Sequence, residues 1–504
     1  MSKLIVTITP PTPNGNLHLG HISGPFLGAD VFARLHRLRG HEVLFVCYSD
    51  DYQSYVDRKA RELGRDRYEL AGYNAHEIEK TMALAGISVD WFLKAYRNRY
   101  FKDAVSMFYA QAHRKGAIIR KMDSVPFSEE DQVYGYEAFG RGTCNYCGHE
   151  SDASQCEHCA RYPTLSKMGD LFSVLSRKKM GWRNVSREFL NLDLYRDYLL
   201  EYYAAIPLRP YLRDFITETL QDPHLQWPID RPGECGIDIG INGNANRIHT
   251  WFSGIAGYLA ACREYAAEKG KPHLVEDFWY SSQTQIVHFL GFDCSFSHAI
   301  VYPSLIHNVE GMTRKVLFYP NRFLKLEGKD FSTSRGIAIW VNDILKVASL
   351  DAVRYYLALH SPEEGTTNFE MEEFNKWHAE FYLPAMDKIR SVSDRMTTFT
   401  DGHLSAESPA YAFIGNWKKY SSPEHFSIRG MATELAKMLE FLVTDAAVET
   451  PEFDRLLQLY AVMGLPVHPG LSESLITNLG IDAGNIIRWI DQAPLFKPVY
   501  HDAC

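Results

Sequence analysis

No apolar run in the 504 residues approaches the ~20 needed to span a membrane as a helix, which excludes an integral helical membrane protein. No leader is expected either. The chain passes from Met1-Ser2-Lys3 straight into the apolar Leu4-Ile5-Val6, without charged, apolar and cleavage regions in series, so a cytoplasmic location is expected. Basic residues are not in excess: 53 Lys and Arg face 62 Asp and Glu, a net charge of −9. Overall charge therefore gives no push toward a polyanion, although a local basic face would suffice for RNA. There is no internal repeat and no low-complexity tract. The length suits several domains with sizeable cores. Nothing in the sequence reports an oligomeric state.

Cysteine is sparse outside one segment. Cys47, Cys235, Cys262, Cys294 and Cys504 are scattered and read as plain thiols of a reducing compartment. The other four are spaced Cys144-x2-Cys147-x8-Cys156-x2-Cys159. Thiolates paired at that spacing close a tetrahedral site around Zn2+. Gly148 and the polar residues 149–155 suit a knuckle turn. Four thiolates leave no open position for a substrate, so the metal's role is structural, stabilising a small module without a core of its own.

The most informative stretch is Pro13-Asn14-Gly15-Asn16-Leu17-His18-Leu19-Gly20-His21. It follows the strand-like run Leu4–Ile8 and precedes Ile22–Leu38, whose apolar residues have helical spacing. A helix start offers free N–H groups to an anion. Two imidazoles there can donate to phosphate as charge builds in a transition state, and Gly20 lets a flat ring or a ribose approach the backbone.

With Pro11 and Thr12 in front, this stretch resembles the ATP-binding signature of class I aminoacyl-tRNA synthetases, in the form used by methionyl-tRNA synthetases. Arg39-Gly40-His41-Glu42-Val43-Leu44-Phe45-Val46 is similar to the family's next strand, and the resemblance runs through roughly the first 380 residues. It implies an α/β protein: a Rossmann-type parallel nucleotide-binding fold split by a zinc-knuckle insertion, followed by an all-helical C-terminal domain. The expected organisation is 1–115 and 233–322 as the two halves of the catalytic fold, 116–232 as the insertion, 323–385 as the second-signature loop and a stem-contact-like region, and 386–504 as a reduced anticodon-domain-like region. Alternating patterns support the first half, with strands at 4–9 and 42–47 and helices at 21–38, 52–63 and 68–86. Further on, the patterns give helices around 251–268 and 283–290 and a short strand near 315–318. Pro384 is expected to break or kink a long helix, and 401–409 reads as a loop.

The resemblance also implies site residues. Asn14, His18, Gly20 and His21 would hold ATP, with Mg2+ accompanying it. Gly291-Phe292-Asp293 matches a Gly-x-Asp element in which the glycine approaches the ribose and the aspartate accepts its hydroxyls. Asp50, just beyond a strand end, matches the acid that pairs with the substrate ammonium group. Trp251, Gly254 and Tyr258 share a helix face by their i, i+3, i+7 spacing and, with His298, match positions that enclose the amino-acid side chain. Other pocket positions depart from the family. Its Ala-Leu-Pro-Tyr is Thr9-Pro10-Pro11-Thr12 here, its Ala-Pro after the tryptophan is Gly254-Ile255, and an aliphatic position is Cys294. Walls that would grip a thioether are lost, so a preferred amino acid other than methionine is expected.

The family's second signature, Lys-Met-Ser-Lys-Ser, corresponds to Gly328-Lys329-Asp330-Phe331-Ser332-Thr333-Ser334-Arg335-Gly336. Ser332, Ser334, Arg335 and Gly336 fit. The two lysines are replaced by Asp330 and Thr333, leaving Lys329, Arg335 and Lys325 to supply positive charge to the triphosphate. The expected catalytic set is therefore His18, His21, Lys329, Ser332, Ser334 and Arg335. At anticodon-reading positions the chain has Lys388, Val392 and, where a tryptophan follows a proline, Thr450-Pro451-Glu452. The resemblance thus supports a ligase that activates an amino acid as its adenylate and passes it to an acceptor other than elongator tRNA, such as a small-molecule or peptide amine. The alternatives are a divergent methionine-tRNA ligase and an inactive binding protein that senses an amino acid or ATP.

Overall fold

A computed structural model describes residues 2–240, 246–331, 337–393, 404–405, 408, 410–444, 450 and 452–493. At its centre are five parallel strands: β1 (Lys3–Ile8), β2 (Glu42–Ser49), β3 (Trp91–Lys94), β4 (Thr284–Gly291) and β5 (Val316–Asn321), in the order β5-β4-β1-β2-β3. Strands covered on both faces read as nearly continuous apolar runs, as Leu-Ile-Val-Thr-Ile in β1 does. Their alternation divides the core. Leu4, Val6, Ile8, Phe45 and Cys47 face one layer, where α1 (Leu27–Leu38) packs. Ile5, Leu44, Val46 and Tyr48 face the other, shared with α2 (Arg99–Arg114) and α3 (Thr250–Glu268).

Three sequence expectations are corrected. Residues 283–290 are not helical: Thr284–Gly291 is β4, hydrogen-bonded to both β1 and β5. A short apolar run buried on both faces carries no period that separates strand from helix. The helix expected over 21–38 is three pieces, a turn at Leu19–His21, a π-wound segment at Ile22–Phe26, and α1. Pro25 removes a backbone donor, and Gly24 leaves helical geometry at φ −101°, ψ −112°. Pro384 does not break the helical run: it falls just after a π-wound segment, His378–Tyr382, that links Met371–Trp377 to Leu383–Ser393. Most of 401–409 lies outside the described residues.

Between α2 and α3 an antiparallel sheet forms from Ile118–Ser128, Val133–Tyr134, Gly181–Asn191 and Gln226–Pro228. Beside it, the strands Gly140–Thr143, Glu150–Asp152 and Gly169–Ser173 carry the cysteine segment. The C-terminal part is helical through Ala483–Gln492. It is tied to the half that carries the parallel sheet by Arg354, fully buried, which pairs with Asp30 at 2.6 Å and donates to the carbonyls of Ala85, Pro466 and Val467. No described helix is long and apolar enough to cross a membrane.

β1 leads outward through β2 to β3, and β4 leads the other way to β5. The order therefore reverses between β1 and β4, and in such sheets ligands bind at the carboxyl ends of the strands beside that reversal.

Candidate active site

The carboxyl edge of the sheet gathers the residues singled out in the sequence. Thr9 and Pro10 follow β1, Asp50 follows β2, Gly291 ends β4, and Asp293 lies in the short turn after it. Thr9 continues the sheet: its backbone N–H donates to the Phe289 carbonyl at 2.9 Å and its hydroxyl to the same oxygen at 3.2 Å. Pro11 offers its carbonyl to the Asp50 N–H at 3.1 Å, and Asn14 donates its N–H to Thr12 at 2.9 Å. The segment leading into the first signature is thus tied to β4 and to the residue just beyond β2.

His18 caps the short helical turn and is 8 % exposed. The rings of His18 and His21 lie 3.8 Å apart. The backbone N–H of His18 donates to Nδ1 of His21 at 3.2 Å, which leaves the His21 proton on Nε2. Burial drives the basicity of both rings down, to about 2 for His18, where His21 adds to the effect, and about 4 for His21. Near neutral pH they are uncharged hydrogen-bonding groups, not cations. A Cβ on Gly20 would stand 3.0 Å from both the His18 ring and Phe331, so a larger residue there would have to push these rings aside.

The second-signature segment arrives on a hairpin. Leu324–Leu326 pairs with Lys329–Asp330 across Glu327-Gly328, both at positive φ (49° and 74°), the signature of a tight type I′ turn. Phe331 then stacks on His18 at 4.8 Å. After the interval 332–336, the chain returns so that the Ile339 carbonyl accepts from the Leu19 N–H at 3.0 Å and Trp340 bridges to His18. Lys329 and Asp330 are exposed, and Asp330 pairs with Lys325 at 3.8 Å. Ser332, Ser334 and Arg335 lie outside the described residues.

Asp50 is buried at 2 % exposure. One carboxylate oxygen accepts from the Thr250 hydroxyl, the other from the Gln53 amide at 2.7 Å. Burial raises its pKa to about 7. Around it, the Tyr258 hydroxyl meets Nε2 of His298 at 2.8 Å, while Nδ1 of His298 donates to the Cys294 carbonyl at 3.1 Å. Trp251 is half-buried at the start of α3. Gly254 plays a part that its face position did not suggest. Its carbonyl accepts from the Tyr48 hydroxyl at 2.6 Å, and a Cβ there would come within 2.7 Å of that oxygen. Gly257 gives the Tyr48 ring the same clearance. On the β4 side, Gly291 makes room for Asp293, whose carboxylate would stand 2.5 Å from a Cβ at 291. Burial lifts Asp293 to about 6.

Sequence reasoning missed several contributors. Thr250 was hidden as the neighbour of Trp251, and Gln155 as the neighbour of Cys156. Gln155 reaches from the knuckle to donate its amide to the Asp293 carbonyl. Arg231, 1 % exposed, has its guanidinium 5.6 Å from the Trp251 ring and pairs with the buried Glu137, which also accepts from Ser54 at 2.7 Å. A run of hydrogen bonds and ring contacts therefore joins the insertion to the floor of the site. The one readable sign was the G-x-x-G of 254–257, the clearance for Tyr48.

The cysteine segment forms two matching knuckles. Gly148 N–H returns to the Cys144 carbonyl at 2.9 Å, and Ala160 N–H to that of Cys156 at 2.8 Å, with positive φ at both residues (74° and 61°). All four Sγ atoms lie within 4.8 Å of one another, with Cys144 to Cys159 at 3.9 Å and Cys147 to Cys156 at 3.6 Å. Sulfurs bound to one tetrahedral Zn2+ at ~2.3 Å stand ~3.8 Å apart, so the donor set fits that ion.

Residues 4–380 match the family described as tRNA synthetases class I (M). The chain is similar to the methionine–tRNA ligase of Thermoplasma acidophilum, 31 % identical over 415 residues, covering 81 % of this chain and 74 % of that one. It is similar also to the methionine–tRNA ligase of Chlamydia trachomatis serovar L2b, 30 % identical over 377 residues, 74 % and 68 % of the two chains. Among solved structures, the fold is similar to the Mycobacterium tuberculosis methionyl-tRNA synthetase in complex with methionyl-adenylate, with TM-score 0.72, 16 % identity, and 98 % of this chain and 97 % of that one covered.

Proposed function

We propose a defined reaction for this chain, which belongs to the class I tRNA synthetase family of the M type and is therefore an ATP-dependent ligase that forms aminoacyl adenylates. An oxygen of the amino acid's α-carboxylate attacks the α-phosphorus of ATP, the bond to the bridging oxygen breaks, and pyrophosphate leaves. The observation that carries the residue assignment is the convergence of His18, His21, Asp50 and Asp293 on one sheet edge at the strand-order reversal.

His18 and His21, uncharged, act as hydrogen-bonding partners of the phosphates. Lys329 and Arg335 supply the positive charge that the first signature lacks. Asp293 accepts the ribose hydroxyls beside Gly291. Asp50, ionised in the complex, pairs with the substrate ammonium, while Trp251, Tyr258, His298, Cys294, Pro10 and Thr12 surround its side chain. Mg2+ enters with the triphosphate, because few protein carboxylates are needed when phosphates complete its shell. Zn2+, when bound by Cys144, Cys147, Cys156 and Cys159, contributes folding energy to the insertion.

The acceptor is a small-molecule or peptide amine not recognised through an anticodon. Three positions support this. Val392 is half-buried against the core. Lys388 stands at the position matched to an asparagine. The Glu452 carboxylate is tied to the Ser405 N–H and the Ser408 hydroxyl at 2.6 Å each, where a ring stacking on a base would be worth about 1–3 kcal/mol. The names of the relatives favour a second reading, the charging of tRNA with methionine. Pyrophosphate exchange and aminoacylation, run with and without total tRNA, separate them. Exchange without charging supports the first reading, and methionyl-tRNA formation the second.

A further inference from the structure

We propose that Tyr48 fills the deep end of the side-chain pocket, so that the amino acid activated is a small one, with at most one heavy atom beyond Cβ. The inference rests on the adenylation reading above and names its substrate class.

Tyr48 in β2 and Asp50 just beyond it are two residues apart, so they project to the same side of the sheet. Each is bonded to α3. Asp50 accepts from the Thr250 hydroxyl, and Tyr48 donates its hydroxyl to the Gly254 carbonyl at 2.6 Å. Thr250 and Gly254 stand one helical turn apart, ~5.4 Å, which leaves a short path between the carboxylate and the tyrosine. A substrate whose ammonium pairs with Asp50 and whose side chain runs along this face of α3 meets the Tyr48 hydroxyl within that turn.

The glycines show what the tyrosine occupies. A Cβ at Gly254, itself one of the positions matched to the side-chain pocket, would stand 2.7 Å from the Tyr48 oxygen, and one at Gly257 would stand 2.5 Å from the ring. There is no room for even a methyl group where Tyr48 lies. Tyr258 packs edge-on against the same ring with centroids 5.4 Å apart, and Asp50 and Cys294 lie within electrostatic reach of its hydroxyl. Tyr48 is thus surrounded by Asp50, Gly254, Tyr258 and Cys294, all residues assigned to the amino-acid site.

The ring is not a gate. It is 1 % exposed, and Phe101 closes it in from α2 at 5.9 Å. Swinging it aside would break the bond to Gly254 and leave a void against two glycines. A methionine side chain would need the volume that the ring holds.

The test is amino-acid-dependent pyrophosphate exchange by the full chain across the standard amino acids. Glycine, alanine, serine or cysteine is expected to exceed methionine in kcat/KM by about a hundredfold or more, since a single methylene in a fitted pocket is already worth about 10–200-fold. Tyr48→Ala empties the deep end and should move the preference toward methionine or leucine by at least about tenfold, with KM for ATP unmoved. Tyr48→Leu removes the ring while keeping the core apolar, and it serves in place of Tyr48→Ala if that variant does not fold. Tyr48→Phe keeps the volume and drops the bond to Gly254, so the wild-type order should persist. A wild-type preference for any larger amino acid would overturn the size limit while leaving adenylation intact. An order unchanged in Tyr48→Ala and Tyr48→Leu, or changed as much by Tyr48→Phe, would also overturn it. No exchange with any amino acid would overturn the adenylation reading itself, and this inference with it.

Discussion

The two sides of the nucleotide site are built from different materials. The turn at 18–21 is largely buried, closed by its own backbone hydrogen bonds, held by the Leu19 N–H on the Ile339 carbonyl, and backed by Phe331 and Trp340. The segment that should bring positive charge sits at the tip of an exposed hairpin, with Lys329 in solvent and Asp330 paired with Lys325. Preorganised dipoles in a water-poor site act strongly on developing charge, whereas an exposed lysine acts through a screened field and has its side chain to immobilise. The histidine side should therefore carry most of the rate, and the hairpin side should tune it.

The largest expected effect follows from the buried side. His21→Ala should slow adenylate formation by about 10²–10³, the cost of one lost donor to a transition state, read as the pyrophosphate exchange rate at saturating substrates. A loss under tenfold would break the comparison. Lys329→Ala should cost less, about tenfold, in keeping with partial exposure of the charge. Equal losses in the two variants would mean that the hairpin closes into the site more fully than its exposure indicates. Smaller again is Asp330→Lys, which restores a signature cation and removes an acid of the wrong sign. It should raise the exchange rate a few-fold, and more at low ionic strength, because the interaction is screened by salt.

A pH prediction sharpens the account of Asp50. With its pKa raised from 3.8 to about 7 in the free protein, this carboxyl is protonated below neutrality and must ionise to pair with the substrate ammonium. Amino-acid affinity should fall about tenfold per unit as pH drops below 7, and Asp50→Asn should abolish both tight binding and its pH dependence, measured calorimetrically from pH 5.5 to 8.5. The sign for stability is opposite. Between about 4 and 7 the folded protein holds a proton that the unfolded chain has released, so this group's contribution to stability declines as pH rises through that window.

Much of the fold was legible because buried parallel strands and turn chemistry leave local marks. β1, β2 and the His18–His21 turn stood close to where the sequence placed them, and the paired cysteines do converge. β4 was misread because eight residues buried on both faces carry no period. The site was legible where one residue type at one position does the work, as at His18 or Asp50. It was hidden where function is shared across the chain. Gln155 reaches Asp293 over 138 residues and Thr250 reaches Asp50 over 200, while Tyr48 fills a gap left by two glycines on α3. Such partners are set by the topology of the split fold, and no local pattern announces them.

The central claim is that this sheet edge activates an amino acid. The most direct measurement is exchange of labelled pyrophosphate into ATP by the purified chain, with and without a panel of amino acids, with Asp50→Asn as control. The account predicts exchange that depends on an added amino acid and is lost in the variant. Absence of exchange with every amino acid, or exchange unaffected by Asp50→Asn, would contradict it.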